Sequence, residues 1–184
     1  MKNLSINHSW NTVLSALGYV VSLFEKYLGF SFRNGAPERA YNFLQLEPKL
    51  YTSGQPTQKQ FQNMKGLGVE SVVNLAPSSA ENALIGEAQI VESLGMDYIH
   101  LPVDFKAPTE QNYQNFVEIM AKLESQTAWV HCAANMRVSA FLYRFRIEYQ
   151  GFTPKQASID LHKIWEPFGV WKTFLENEAD TNDS

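Results

Sequence analysis

Trp129-Val130-His131-Cys132-Ala133-Ala134-Asn135-Met136-Arg137-Val138-Ser139 is the stretch that decides the fold. Thr127 to His131 is a short apolar run suited to a buried strand. Small residues follow, and from Val138 to Tyr149 the spacing predicts a helix that Gly151 ends. The stretch therefore reads as strand, tight loop and helix. It also holds the only cysteine, so no disulfide can form within the chain. A lone cysteine is either buried filler or a reactive thiol. Here its neighbours favour reactivity. Ala133 and Ala134 let backbone N–H groups converge, and the helix start adds partial positive charge. Arg137 brings a fork that can hold two oxygens of a phosphate. Each of these features favours thiolate at neutral pH, so one site would both hold an anion and supply the nucleophile.

Outward from this stretch, strands and helices alternate. Val69 to Leu75 reads as a buried strand, Ala80 to Leu94 as a helix stopped by Gly95, and Asp97 to Leu101 as another strand. Thr109, after Pro108, opens a helix to about Leu123. This alternation predicts an α/β fold: a mainly parallel central sheet flanked by helices on both faces. Upstream, Phe43–Leu46 and Leu50–Thr52 form a hairpin around Glu47-Pro48-Lys49. Thr57 and Gln60 make a capping box for a helix that runs to Leu67 and stops at Gly68. Downstream, Thr153-Pro154 caps a helix ending near Trp165, and a last helix covers Val170 to Leu175. Ligands of parallel sheets bind beyond the carboxyl ends of the strands. That draws attention to Asn74-Leu75-Ala76, Pro102-Val103-Asp104 and His131-Cys132.

The bulk composition is that of a globular domain, with 45% hydrophobic and 18% charged residues in 184. Net charge is −4 and no basic tract stands out, which argues against nucleic acid as a partner. Residues 1–39 read as an amphipathic helix and a linker, 40–177 as the main domain, and 178–184 as a disordered tail. In the first helix Leu17, Val20, Val21, Phe24 and Leu28 form one stripe. Asn11, Ser15, Ser22, Glu25 and Lys26 interrupt the apolar run too early for a spanning helix. The stripe is expected to pack on the domain or on a partner; a membrane-surface helix and a signal segment are the alternatives. The expected compartment is the cytoplasm, with secretion or membrane-surface association kept open.

His-Cys, an Arg beyond a short loop and a nearby Ser resemble the signature loop of cysteine-dependent tyrosine and dual-specificity phosphatases. Tyr51-Thr52-Ser53-Gly54-Gln55-Pro56-Thr57 and Val72-Val73-Asn74-Leu75 resemble a small bacterial branch of that fold, a domain also found beside β-lactamase-like hydrolases. The resemblance covers roughly Asn42 to Leu175 and implies a dual-specificity-phosphatase-like fold. It further implies Cys132 as nucleophile and Arg137 as phosphate clamp. Backbone N–H groups of Ala133, Ala134, Asn135, Met136, Arg137 and Val138 would cradle the oxygens. Ser139 would assist the thiolate, and His131 would help to set it. Asn135 stands where the family has glycine, and Asn tolerates positive φ better than most residues.

Asp104, just past a strand end, is the candidate general acid; its other reading is a turn residue. Asp97 is its rival but opens a strand at the opposite end. Gln55 is an even choice between substrate contact and scaffold. His100 reads as a satisfied core histidine, and Arg144 and Arg146 as surface or ion-pair residues. Trp165, Phe168, Trp171 and Phe174 read as core. His8 and His162 lack partners at metal-ligand spacing, so no metal and no other cofactor is expected. Three functions remain open. One is phosphomonoester hydrolysis through a phosphocysteine, acting on a phosphorylated protein or small molecule. The second is rhodanese-like sulfur transfer or persulfide carriage, whose tighter loop has the same four residues between Cys and Arg. The third is phosphate binding without turnover.

Overall fold

The structure, a computed structural model, describes residues 2–28 and 35–176. Helix α1 is Lys2–Leu28. The hairpin β1 (Leu44–Glu47) and β2 (Leu50–Ser53) follows, then α2 (Gln58–Met64), β3 (Ser71–Asn74) and α3 (Glu87–Ser93). Next come β4 (Asp97–His100), α4 (Glu110–Lys122), β5 (Ala128–His131), α5 (Met136–Gln150), α6 (Pro154–Ile164) and α7 (Val170–Glu176). One five-stranded sheet has the order β1-β2-β5-β3-β4. Only β1 and β2 are antiparallel; β5 pairs in parallel with β2 and β3, and β3 with β4. The carboxyl ends of β2, β3, β4 and β5 thus lie along one edge, with Asn74 level with both His131 and His100.

Alternate side chains of the strands enter two cores. Val73, Val130 and Cys132 lie in a large cluster with Tyr113 and Phe116 of α4, Phe141 of α5, Ile164 of α6 and Trp171 of α7. Val72 and Trp129 pack against Phe61 and Met64 of α2 and Val91 of α3. Both faces are dry, which is why these strands read as unbroken apolar runs. Three helices begin with capping boxes, at Thr57, Thr109 and Thr153.

Two expectations fail here. The helix read over Ala80–Leu94 is helical only from Glu87. Turns at Ala80 and Ala83 precede it, and Gly86 enters with φ 72°. The buried Asn82 carboxamide binds tertiary partners instead of a local turn of helix. The stripe of α1 also does not pack on the domain, the first of the placements expected for it. Leu17, Val20, Val21 and Phe24 are 45–60% exposed, whereas Ser15, Ser22 and Glu25 are buried. Hydrogen bonds decide the orientation: Asn11 Nδ2 donates to His162 O (2.7 Å) and Ser15 Oγ to Ile164 O at the end of α6. Leu28's side chain and the tail from 178 lie outside the described residues. No helix among the described residues is long and apolar enough to cross a membrane.

Candidate active site

Cys132 leaves β5 fully buried, its N–H donating to Ser53 O at 3.3 Å. The following loop is held by its carbonyls. Ala133 O accepts from Gln55 N (3.2 Å) and Asn82 Nδ2 (3.0 Å), and Ala134 O accepts from Asn42 Nδ2 (2.9 Å). Both carbonyls are thus fixed to the surrounding framework. Asn135 then takes φ 65° and ψ 1°, the left-handed conformation expected of it. Its Nδ2 donates to Asn42 O (2.7 Å) and Thr52 Oγ1 (3.0 Å), so Asn42 and Asn135 brace each other. Helix α5 starts at Met136, two residues earlier than its apolar pattern suggests. Arg137 therefore lies in its first turn, among N–H groups that have no intrahelical acceptor.

Arg137 is 9% exposed, and its Nε is buried without a hydrogen-bond partner. No carboxylate pairs with it among the described residues; the guanidinium instead lies 5.1 Å from the Phe105 ring centroid. A buried, unneutralised guanidinium beside a helix N-terminus is a site prepared for an anion. Phe105 is itself wedged against Trp165 and Trp171, and its carbonyl accepts from Trp171 Nε1 at 2.8 Å. The loop that carries Asp104 is thereby tied to the floor under Arg137. Asp104 is exposed, and its Oδ1 accepts from Lys106 N at 2.9 Å.

Below the loop, Glu87 is a buried carboxylate surrounded by donors. His131 Nε2 lies 3.1 Å from Glu87 Oε1. Asn74 Nδ2 (2.8 Å), Tyr98 OH (2.9 Å) and Gln55 Nε2 also donate to it. Burial pushes the Glu87 carboxyl up, but His131 and the hydrogen bonds from His131, Gln55 and Tyr98 outweigh it, and the net shift is downward. Glu87 thus stays ionised and ties together the end residues of β3 (Asn74) and β5 (His131), Tyr98 within β4 and Gln55 just beyond β2.

A family model described as "DSP-PTPase phosphatase fused to NAD+ kinase" matches residues 35–164. The chain belongs to this family. The phosphatase is 30% identical to a DUF442 protein assigned as a phosphatase from Shewanella putrefaciens CN-32; their structures superpose with a TM-score of 0.68 over 77% of this chain and 93% of that one. The "Beta-lactamase hydrolase-like protein" of Agrobacterium fabrum is 28% identical over 97 residues, 51% of this chain. The chain spans only 22% of that relative's length. TpbA of P. aeruginosa, determined in complex with pTyr, has a TM-score of 0.57 and 15% identity over 79% of this chain and 93% of its own, a likeness of fold. Family membership favours cysteine-dependent phosphoester hydrolysis over sulfur transfer.

The phosphatase brings Cys132, His131, Gln55 and Arg137 to one edge of the sheet. Gln55 is buried and bound to Glu87 and Pro56 O, a scaffold position. The Ser139 hydroxyl donates to Met136 O (3.0 Å) and accepts from Trp165 Nε1 (3.2 Å). Asp97 opens β4 at the far end of the sheet. Among the described residues, no group of three or more His, Cys, Asp or Glu is placed to hold a metal ion. Of the two roles expected for Arg144 and Arg146 they take the ion-pair one, and they are buried: Arg144 pairs with Glu110 and Glu148, and Arg146 with Asp160. Two readings need correction. His100 is exposed on the edge strand, satisfied by Ala76 O at 2.8 Å but not in the core. Phe168 is 57% exposed, though it touches Trp165.

Sequence reasoning missed Glu87, Asn42, Asn82 and Tyr19. Glu87 and Asn82 sat inside a segment that read as ordinary helix, and Asn42 lies just ahead of the hairpin with no local pattern to mark it. Tyr19 of α1 is half-buried against the cluster that includes Cys132 and Trp165. Burial and Glu81 push its phenol up, while Arg137 draws it back, so this side chain lies in the field of the Arg137 guanidinium.

Proposed function

We propose that the chain hydrolyses phosphomonoesters through a phosphocysteine on Cys132. The carrying observation is the buried, unpaired guanidinium of Arg137 at the start of α5, in the same loop as the only thiol. Arg137 and the N–H groups from Ala133 to Val138 bind the three phosphoryl oxygens. The Cys132 thiolate attacks phosphorus, and the P–O bond to the leaving group breaks. Asp104 gives that oxygen a proton. Water then attacks the phosphocysteine, Asp104 takes a proton back, and the S–P bond breaks to release phosphate and thiolate. Glu87 orients His131, which carries the chain into Cys132. Assistance by Ser139 to the thiolate would require its hydroxyl to turn from Met136 O.

The substrate is a phosphorylated protein or small molecule; pTyr bound to TpbA of the same fold supports an aryl phosphate as first probe. A thiolate nucleophile must stay reduced, which suits the cytoplasm. Contact with a partner or a membrane surface is assigned to α1, because its apolar stripe is exposed. The test is a paired assay on one preparation, reading phosphate release from 4-nitrophenyl phosphate and sulfur release from thiosulfate. Phosphate release without sulfur transfer is expected. Sulfur transfer with no phosphate release would overturn the assignment.

A further inference from the structure

Helix α1 lies outside the common phosphatase domain, yet it is joined to the cysteine loop in three places. Asn42 Nδ2 spans Ser15 Oγ (2.9 Å) and Ala134 O (2.9 Å). Asn82 Nδ2 spans Ser22 Oγ (3.2 Å) and Ala133 O (3.0 Å). Both carboxamides that anchor the loop carbonyls are thus shared with serines of α1. Between these two relays, Tyr41 is clasped by glycines. A Cβ on Gly18 would collide with the Tyr41 ring. A Cβ on Gly54 would come within 2.7 Å of that ring and 3.0 Å of Ala133 O. Tyr41 OH donates to Ser15 O. A mid-helix glycine weakens a helix, so Gly18 suits a close approach rather than helix stability.

Tyr19 occupies the same stretch of α1. It lies on the same face as these anchors and packs against the large core cluster to which Cys132 and Trp165 belong, in the field of Arg137. With α1 docked, Cys132 is fully buried, and Ala133, Ala134, Asn135 and Arg137 are each less than a tenth exposed.

The docking has an unusual balance. Ser15, Ser22 and Glu25 are turned inward and the apolar stripe outward. Among its described side chains the helix is thus held by hydrogen bonds, for which water competes, and by Tyr19, while its apolar stripe stays unburied. Such a contact is reversible more readily than the packed helices α4 to α7.

We propose that α1 is the specificity-determining wall of the site: Ser15, Tyr19 and Ser22 hold it across the mouth of the phosphate loop, so that small phosphoesters reach Cys132 and bulky ones only when α1 lifts. The inference rests on Cys132 as the reacting group. Alkylation of its thiol reads access without turnover, so failure of the wall and failure of the phosphatase assignment remain distinguishable.

The test uses the full chain with two variants. Gly18→Leu wedges α1 from Tyr41. Ser15→Ala with Ser22→Ala removes both relays without adding bulk, and alanine favours the helix. The rate of Cys132 alkylation by iodoacetamide is measured, with kcat/KM for 4-nitrophenyl phosphate and for a phosphotyrosine peptide. As Cys132 is the only cysteine, the alkylation has one site. Losing the two relay hydrogen bonds and that from Ser15 Oγ to Ile164 O is expected to raise alkylation about tenfold, and to raise kcat/KM for the peptide more than for the small ester. Unchanged or slower alkylation in the double alanine variant, or loss of turnover on both substrates, would overturn the proposal.

Discussion

At the residue scale, the central contrast is between Arg137 and the other buried arginines. Arg144 and Arg146 are also buried, but each is neutralised by carboxylates. Arg137 alone of the three has no carboxylate partner, and it sits where α5 begins. An ion pair there would stabilise the empty protein and compete with substrate. Asp104 raises a different issue, because in this state its carboxylate faces solvent and caps its own turn. If it serves as the acid, Asp104→Asn slows hydrolysis of esters with basic leaving groups by about 10²–10⁴-fold. Esters whose leaving groups depart easily lose much less. Measuring kcat/KM across a series of aryl phosphates checks this. An equal loss across the series would remove Asp104 from proton transfer and leave it as a turn residue.

At the scale of elements, the sequence was legible wherever one local rule governed. The capping box at Thr57, the helix starts at Thr109 and Thr153 and the buried runs of β3 and β5 depend on neighbours a few residues away, and each stands where the pattern put it. The segment from Ala80 to Gly86 did not obey local spacing, because Asn82 is committed to Ala133 O, far along the chain. Helix α1 shows the same limit. Its period was readable, but its orientation was not: Ser15 and Ser22 find partners on the domain that no local pattern discloses. In the site, Cys132, Arg137 and the positive φ of Asn135 were legible because one stretch carries them. Glu87 was hidden, since its partners Gln55, Asn74, Tyr98 and His131 come from four separate stretches of the chain.

At the scale of the whole molecule, Glu87 links the sheet to the loop. Its folded pKa is lowered, so its contribution to stability is complete above its ordinary value of 4.5 and is lost as pH falls through the lower folded value. Glu87→Gln keeps the shape but loses the charge. It is expected to destabilise the phosphatase at neutral pH by about 1–3 kcal/mol. The gap from wild type should then narrow in acid, where wild-type Glu87 becomes neutral too. Denaturant unfolding at pH 7 and below pH 4 checks this, and a gap that stays constant would contradict the ionised assignment.

The whole arrangement exists, on this account, to make one covalent bond between sulfur and phosphorus at Cys132. The direct measurement is rapid acid quench of the enzyme during turnover of 4-nitrophenyl phosphate, followed by mass analysis of the peptide containing Cys132. The account predicts a phosphoryl adduct on that cysteine, and neither adduct nor turnover in Cys132→Ser. Undiminished phosphate release by Cys132→Ser would contradict it.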